Sequence, residues 1–351
     1  MIQPFSEGLL MSDMLLGIVF VIIGSVLQGS WAVPQSYVRK WAWESSWIVF
    51  CIFAMIIINL LIALIFVPNL FEIYQSASGS VLKIMVFGLI WGSGVVLFGL
   101  GLAAVGIALS YALMYGALLA VGAIVPMIVL HPTDILTTKG LIVILGVFIS
   151  LVGIAFSGVA GMKKEKDQSA GSEAAEGGSK ISMKMGILIC VIAGAMISVV
   201  NIAFAMSDEL VKVAVSLGSS ENYRVYFVWG ILFATGGVVN ALYCMYLMGK
   251  NKTAGSYSAE GSGKNWLLLI FSAIIWIVSF NFFGRGASLM GKWGLSIGWS
   301  MFNIIPIATA TAWGLFLGEW KGASKSTMKT LATALVFFLV AIVVFTYCAA
   351  T

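Results

Sequence analysis

Charge is what this sequence has least of. Lys, Arg, Asp and Glu together supply 9% of its 351 residues, against about 25% in soluble domains. A water-soluble fold with a large core is excluded on that ground. There is one histidine, His131, beside Pro132 at the end of an apolar run; it reads as a loop residue rather than a proton relay. The four cysteines, Cys51, Cys190, Cys244 and Cys348, fall singly inside apolar runs. Without disulfide or metal-ligand spacing they read as small packing residues. No HExxH, phosphate-binding loop or metal cluster is present, so neither an enzyme nor a resident metal or cofactor is expected. The lack of a nucleotide-binding domain argues against a primary pump. No Lys or Arg precedes the first apolar run, and a cleaved signal peptide is not expected.

Apolar residues, by contrast, make up 61% of the chain. A helix needs about 20 of them to cross the hydrocarbon layer. Ten stretches qualify, roughly 14–33, 46–67, 81–103, 107–129, 140–161, 183–206, 224–248, 265–285, 291–317 and 328–349. Backbone groups in lipid must be satisfied within the segment, so the fold is expected to be an all-α membrane protein of ten transmembrane helices. Pro34, Pro68-Asn69 and His131-Pro132 close spans, since proline does not continue a helix. The stretch 162–182 is rich in Gly, Ser, Ala and charge and reads as a flexible cytoplasmic linker. It divides a first five-helix repeat, 1–161, from a second, 183–351.

The net charge of +5 implies no nucleic acid; its meaning lies in where the basic residues sit. With the N-terminus outside, 13 Lys and Arg fall on the inner side (Arg39, Lys40, Lys163, Lys164 and Lys250 among them) and 6 on the outer. The positive-inside tendency then places both termini outside, in a cytoplasmic (inner) membrane. Asn251-Lys252-Thr253 matches a glycosylation sequon, but this topology puts it in the cytoplasm.

The chain repeats itself once. Trp91, Phe98, Gly99, Gly101 and Gly106 recur as Trp276, Phe283, Gly284, Gly286 and Gly291, each offset by 185 without a gap. With five spans per half, the third span and the eighth run in opposite directions. The halves are therefore expected to be inverted repeats, a plan shared by many secondary transporters with a site near the midplane. A channel is the weaker reading, because no filter-like loop or ring of acids appears; a sensor is a further alternative.

Candidate site residues are the polar and aromatic groups that lipid would otherwise penalise. Gln28 ends the first span and suits a polar solute, with helix–helix glue as the plain alternative. Trp91 and Trp299, like Trp276, could stack on the apolar face of a sugar or simply pack. Tyr111 and Tyr115 are four apart and share a helix face. Asn201, Asn240, Asn281 and Asn303 lie in the second half and Asn59 in the first, which suggests an asymmetric polar cavity. Asn281 and Arg285 share a face favoured for the solute. Arg285 replaces Leu100 of the first copy. Glu44 is the early acid placed for proton coupling, against an interfacial cap as its alternative.

Several motifs together resemble the L-rhamnose–proton symporters, a branch of the drug/metabolite transporter superfamily. They are Gly29-Ser30 with Pro34, Trp41-x-Trp43-Glu44-x-x-Trp47, Trp91-Gly92-x-Gly94, Gly236-Gly237-x-x-Asn240, Phe283-Gly284-x-Gly286, and Trp313-Gly314 leading to Glu319-Trp320-Lys321. The resemblance implies a ten-helix carrier that moves a deoxysugar inward with a proton. Arg285 departs from it and keeps a second substrate open, an acidic sugar derivative whose carboxylate or sulfonate the guanidinium fork would hold.

Overall fold

The computed structural model describes residues 3–169 and 181–350. Ten helices in it are long and apolar enough to cross a bilayer. They are α1 (Asp13–Gln35), α2 (Trp43–Phe66), α3 (Ser78–Val105), α4 (Ile107–Leu130), α5 (Thr138–Ser169), α6 (Met183–Ala205), α7 (Arg224–Asn251), α8 (Ser262–Leu289), α9 (Gly291–Phe316) and α10 (Lys325–Ala350). Each expected span finds its helix, and no strand occurs among the described residues.

One boundary differs from expectation. α5 continues past 161 to Ser169, into the stretch read as linker. Its polar side chains are held by the α9–α10 connection and the start of α10. Lys163 Nζ donates to Thr330 Oγ1 (2.9 Å), and Gln168 Nε2 to the carbonyls of Glu319 (2.8 Å) and Lys321 (3.1 Å). Asp167 accepts from the Ser324 N–H (2.8 Å) and the Thr327 hydroxyl (2.6 Å). A composition that reads as flexible is here a helix end with partners. The rest of that stretch, 170–180, lies outside the described residues.

Packing follows a rule. α3 packs on α6 and α8 on α1; α4 packs on α6 and α9 on α1; α3 packs on α7 and α8 on α2. Exchanging each helix for the one five positions away turns each pair into its partner, and carries α5/α10 and α2/α7 into themselves. Trp91 and Trp276, the first residues of the repeated motif, meet with ring centroids 6.1 Å apart. The last glycines of the motif, Gly106 (φ +83°) and Gly291 (φ +62°), turn the chain out of α3 and α8 in the left-handed region that glycine takes at little cost. Gly101 lies against Cys190 of α6, and Gly286 against Gly17 of α1. The repeat thus encodes a close helix approach followed by a turn, twice.

A second close approach joins α3 to α7. A Cβ on Gly92 would sit 2.6 Å from the Gly236 carbonyl oxygen. Backbone faces backbone there, so no flexible side chain can yield. Gly92→Val is expected to cost at least the roughly 1–3 kcal/mol of ordinary overpacking. The result should be loss of the monodisperse species on size exclusion in detergent. Wild-type recovery of that variant would refute the close-approach account.

The buried amides answer breaks in the helices. Pro126 in α4 has no N–H, which frees the carbonyl four residues before it, that of Gly122. Asn201 Nδ2 donates to that oxygen at 2.7 Å and to the Leu295 carbonyl, in a π-helical turn of α9, at 2.9 Å. Asn59 donates to the Trp229 carbonyl at 2.6 Å, and Asn240 to those of Gly92 and Gly236 at 3.2 and 3.0 Å. These three amides staple helices together. Only Asn240 of the three also lines the central cavity, and its NH₂ is spent on backbone, so together they do not make the asymmetric polar cavity that their distribution along the chain suggests.

The bundle has two unlike ends. At the end where α1 finishes and α2 begins, here the basic end, stand Arg39, Lys40, Lys163, Lys164 and Lys250. The opposite end is sealed. There Arg224 pairs with Asp208 (2.8 Å) and donates to the Phe204 carbonyl (2.6 Å), and Lys292 pairs with Asp134 (2.9 Å). Tyr74 donates to the Phe227 carbonyl at 2.8 Å; burial pushes its hydroxyl pKa well up, so it remains a donor,. The void beneath Lys292 and Asp134 measures about 10 Å³, too little for any solute.

Candidate functional site

A cavity of about 230 Å³ lies between α1, α2, α3, α4, α6, α7, α8 and α9. One wall comes from α2, where Trp43, Trp47 and Phe50 recur at the four- and three-residue spacing of one helix face. Their rings stack in series, Trp43 on Trp47 at 5.8 Å and Trp47 on Phe50 at 5.1 Å. The paired Trp91 and Trp276 line it deeper, with Trp299 and Phe302 of α9 beyond. The Trp299 indole N–H is committed to the Leu118 carbonyl at 3.1 Å, so this ring offers its surface rather than its donor.

Among these rings stand a few polar groups. The Ser279 hydroxyl lies 2.6 Å from Gln28 Oε1 and 2.6 Å from the Trp276 carbonyl; its single proton serves one of them at a time. The Gln28 side-chain NH₂ bonds no described residue. Asn303 Nδ2 donates to the Trp299 carbonyl at 2.7 Å, while its Oδ1 has no partner among the described residues. Neither the Tyr111 nor the Tyr115 hydroxyl bonds a described residue; the two rings stack at 6.1 Å. Asn240 differs, since its Oδ1 accepts the Trp47 indole N–H at 3.2 Å and its NH₂ is used on backbone.

Among the described residues, no Lys, Arg, Asp or Glu lines this cavity. Flat apolar rings with uncharged donors and acceptors suit a neutral ring that carries hydroxyls and an apolar face. An anionic ligand would find no counter-charge on the wall. A second cavity, about 460 Å³, shares Gln28, Trp31, Tyr111 and Tyr115 with the first and reaches Lys164, Glu165, Glu319 and Trp320. The central cavity therefore communicates with the basic end, while the other end is shut.

Of the residues singled out from sequence, Gln28, Trp91, Tyr111, Tyr115, Trp299 and Asn303 are brought together on this cavity. Four are not. Asn201 lies off the cavity wall, its NH₂ spent on the α4 and α9 carbonyls and its Oδ1 buried without a partner among the described residues. Asn281 lies outside the wall, its Nδ2 donating to the Ile277 carbonyl at 3.0 Å. Arg285 is at the sealed end, where its guanidinium donates to Asn222 Oδ1; a position for reading an acidic sugar in this cavity is not what it occupies. Glu44 is buried at the start of α2 and accepts from Asn251 Nδ2 (2.9 Å) and Thr253 Oγ1 (2.8 Å) at the end of α7. Beside it Tyr257 donates to the Ser45 carbonyl at 3.1 Å; burial raises its pKa above the ordinary phenol value, so it too stays protonated.

Sequence reasoning missed Trp31, Trp43, Trp47 and Tyr243 as lining residues, and Asn240 as the partner of Trp47. The available signal was the four- and three-residue spacing of Trp43, Trp47 and Phe50.

The L-rhamnose–proton symporter of Yersinia pestis (strain Pestoides F) is 26% identical over 336 residues, covering 93% of this chain and 96% of its own length. The L-rhamnose–proton symporter of Escherichia coli O1:K1 / APEC is 25% identical over 334 residues, covering 93% and 95%. Residues 10–351 match the family described as L-rhamnose-proton symport protein. With a match that runs through all ten spanning helices, the chain belongs to the L-rhamnose–proton symport protein family.

Proposed function

We propose that this protein is a carrier, not an enzyme, that imports a rhamnose-like deoxysugar together with a proton across the inner membrane by alternating access. The observation that carries the reading is the uncharged, aromatic-walled cavity open toward one end only. A 6-deoxy ring pairs hydroxyls with an apolar edge, and the cavity pairs free amide and phenol groups with indole faces. The basic end is taken as cytoplasmic from the lysine and arginine count, which makes this the inward-open state. Two inverted five-helix repeats, 1–161 and 183–351, are supported by the gap-free offset of 185 and by the helix pairs that exchange under it,. Gln28, Tyr111, Tyr115 and Asn303 are the proposed hydroxyl partners, with Trp91 and Trp299 as stacking surfaces. The acidic-sugar alternative loses its support, because Arg285 is absent from the wall.

The test is counterflow in proteoliposomes: L-rhamnose on one side should accelerate exchange of labelled L-rhamnose from the other. A channel shows no such acceleration, and no movement at all would leave a sensor. Glu44 is the proposed coupling carboxylate, acting on the α2–α7 contact at the open end rather than on the sugar. Glu44→Gln should keep exchange but lose accumulation driven by an imposed pH gradient. A Glu44→Gln carrier that still concentrates sugar on a pH jump removes Glu44 from the coupling role.

A further inference from the structure

A carrier that opens inward must also present a wall to the other side, and we propose that this wall is the buried face of α8, with Asn281 as its sugar-contacting residue. The inference rests on the transport reading above and adds to it a site absent from the open cavity. The residues of α3 that line that cavity are Trp91, Val95, Val96, Phe98, Gly99 and Leu102. Adding 185 gives Trp276 and Phe280, which line the open cavity too, and Asn281, Phe283, Gly284 and Ala287 on α8, which do not. The α3 face is open at its far part, where a Cβ on Gly99 would meet nothing within 4 Å. The α8 face is packed away at the matching position, where a Cβ on Gly284 would strike Val225 of α7 at 2.7 Å. Phe283 is 0% and Ala287 2% exposed. One repeat thus shows the motif open and the other shows it shut.

The two faces differ in one polar group. Where α3 has Val96, α8 has Asn281, whose Oδ1 is buried and without a partner among the described residues. A buried carbonyl left unpaired carries its full desolvation cost, and opening of this face would relieve it. The oxygen then accepts a hydrogen bond from a hydroxyl of a neutral sugar entering from the sealed end. The same arithmetic sets Arg285 aside. Its counterpart Leu100 does not line the cavity and is 37% exposed, so the arginine belongs to the back of this face.

The test uses the full-length carrier in intact cells, with L-rhamnose as the probe and a charged methanethiosulfonate applied outside. The four native cysteines are buried and give a low background. Ala287→Cys should react, at a rate that changes severalfold when L-rhamnose is present. Asn281→Val, which installs the residue of the other repeat, should raise KM for uptake by about tenfold, the equivalent of one hydrogen bond of about 1.4 kcal/mol. Arg285→Leu should leave KM unchanged. An Ala287→Cys carrier that accumulates sugar yet stays unreacted overturns the wall. Wild-type KM in Asn281→Val overturns the role of Asn281, and decides the matter alone if Ala287→Cys does not reach the membrane. Failure of the wild-type chain to catalyse counterflow would instead sink the transport reading, and this wall with it.

Discussion

Asn240→Leu is expected to give the largest combined loss of stability and binding of any single substitution at the cavity. Its amide makes three interhelical or local bonds, to Gly92 and Gly236 and from the Trp47 indole. Side-chain bonds between membrane helices average about 0.6 kcal/mol, with a maximum near 1.7. Removing three, and leaving the Trp47 N–H without a protein partner, therefore costs about 2–4 kcal/mol. Leucine cannot hold the indole, so Trp47 is free to leave the wall it forms with Trp43 and Phe50. The thermal midpoint in detergent should fall by several degrees, and L-rhamnose should lose its stabilising effect on what remains folded. Asn240→Asp keeps the acceptor for Trp47 and is expected to recover sugar binding in part. An Asn240→Leu protein with unchanged midpoint and sugar response would falsify this account.

Gln28→Ala is the second. The side chain bridges α1 to Ser279 of α8 and leaves its NH₂ toward the cavity. Losing a neutral hydrogen bond to a sugar hydroxyl is worth about 1–1.5 kcal/mol, close to tenfold in affinity. The helix contacts that flank it are retained, so the loss should appear as raised KM with normal expression. Gln28→Glu should be worse, because it places an uncompensated carboxylate where no Lys or Arg lines the wall,. Uptake is measured at sub-saturating labelled L-rhamnose. Wild-type KM in both variants would remove Gln28 from the site.

The fold was legible because hydrocarbon permits one answer: ten apolar runs, ten helices. The site was legible only in part, and the misses have a common cause. Sequence shows which side chains are polar but not which carbonyls the backbone leaves free. Asn201 reads as a ligand group until Pro126 and the π-helical turn at Gly294–Gly298 are seen to expose the oxygens it satisfies. Arg285 reads as a substrate arginine until Asn222, 63 residues earlier, is found beside it. Trp43 and Trp47 enter the sequence reading only through the motif around Glu44, because nothing local says that α7 stands behind them. Which end is open is a property of packing, and no single residue encodes it.

Asn201 also bears on how the protein switches. One amide holds α4 and α9 at once, and each of its two bonds covers an oxygen that the helices themselves have given up. Moving either helix away from Asn201 bares that helix's carbonyl, and moving both bares two. Intermediate separations therefore lose the bonds before water can replace them. Such a contact resists small displacements and then fails abruptly, giving two settled arrangements with little between them. A carrier gains from such abruptness, because a path open at both ends at once would short-circuit the ion gradient.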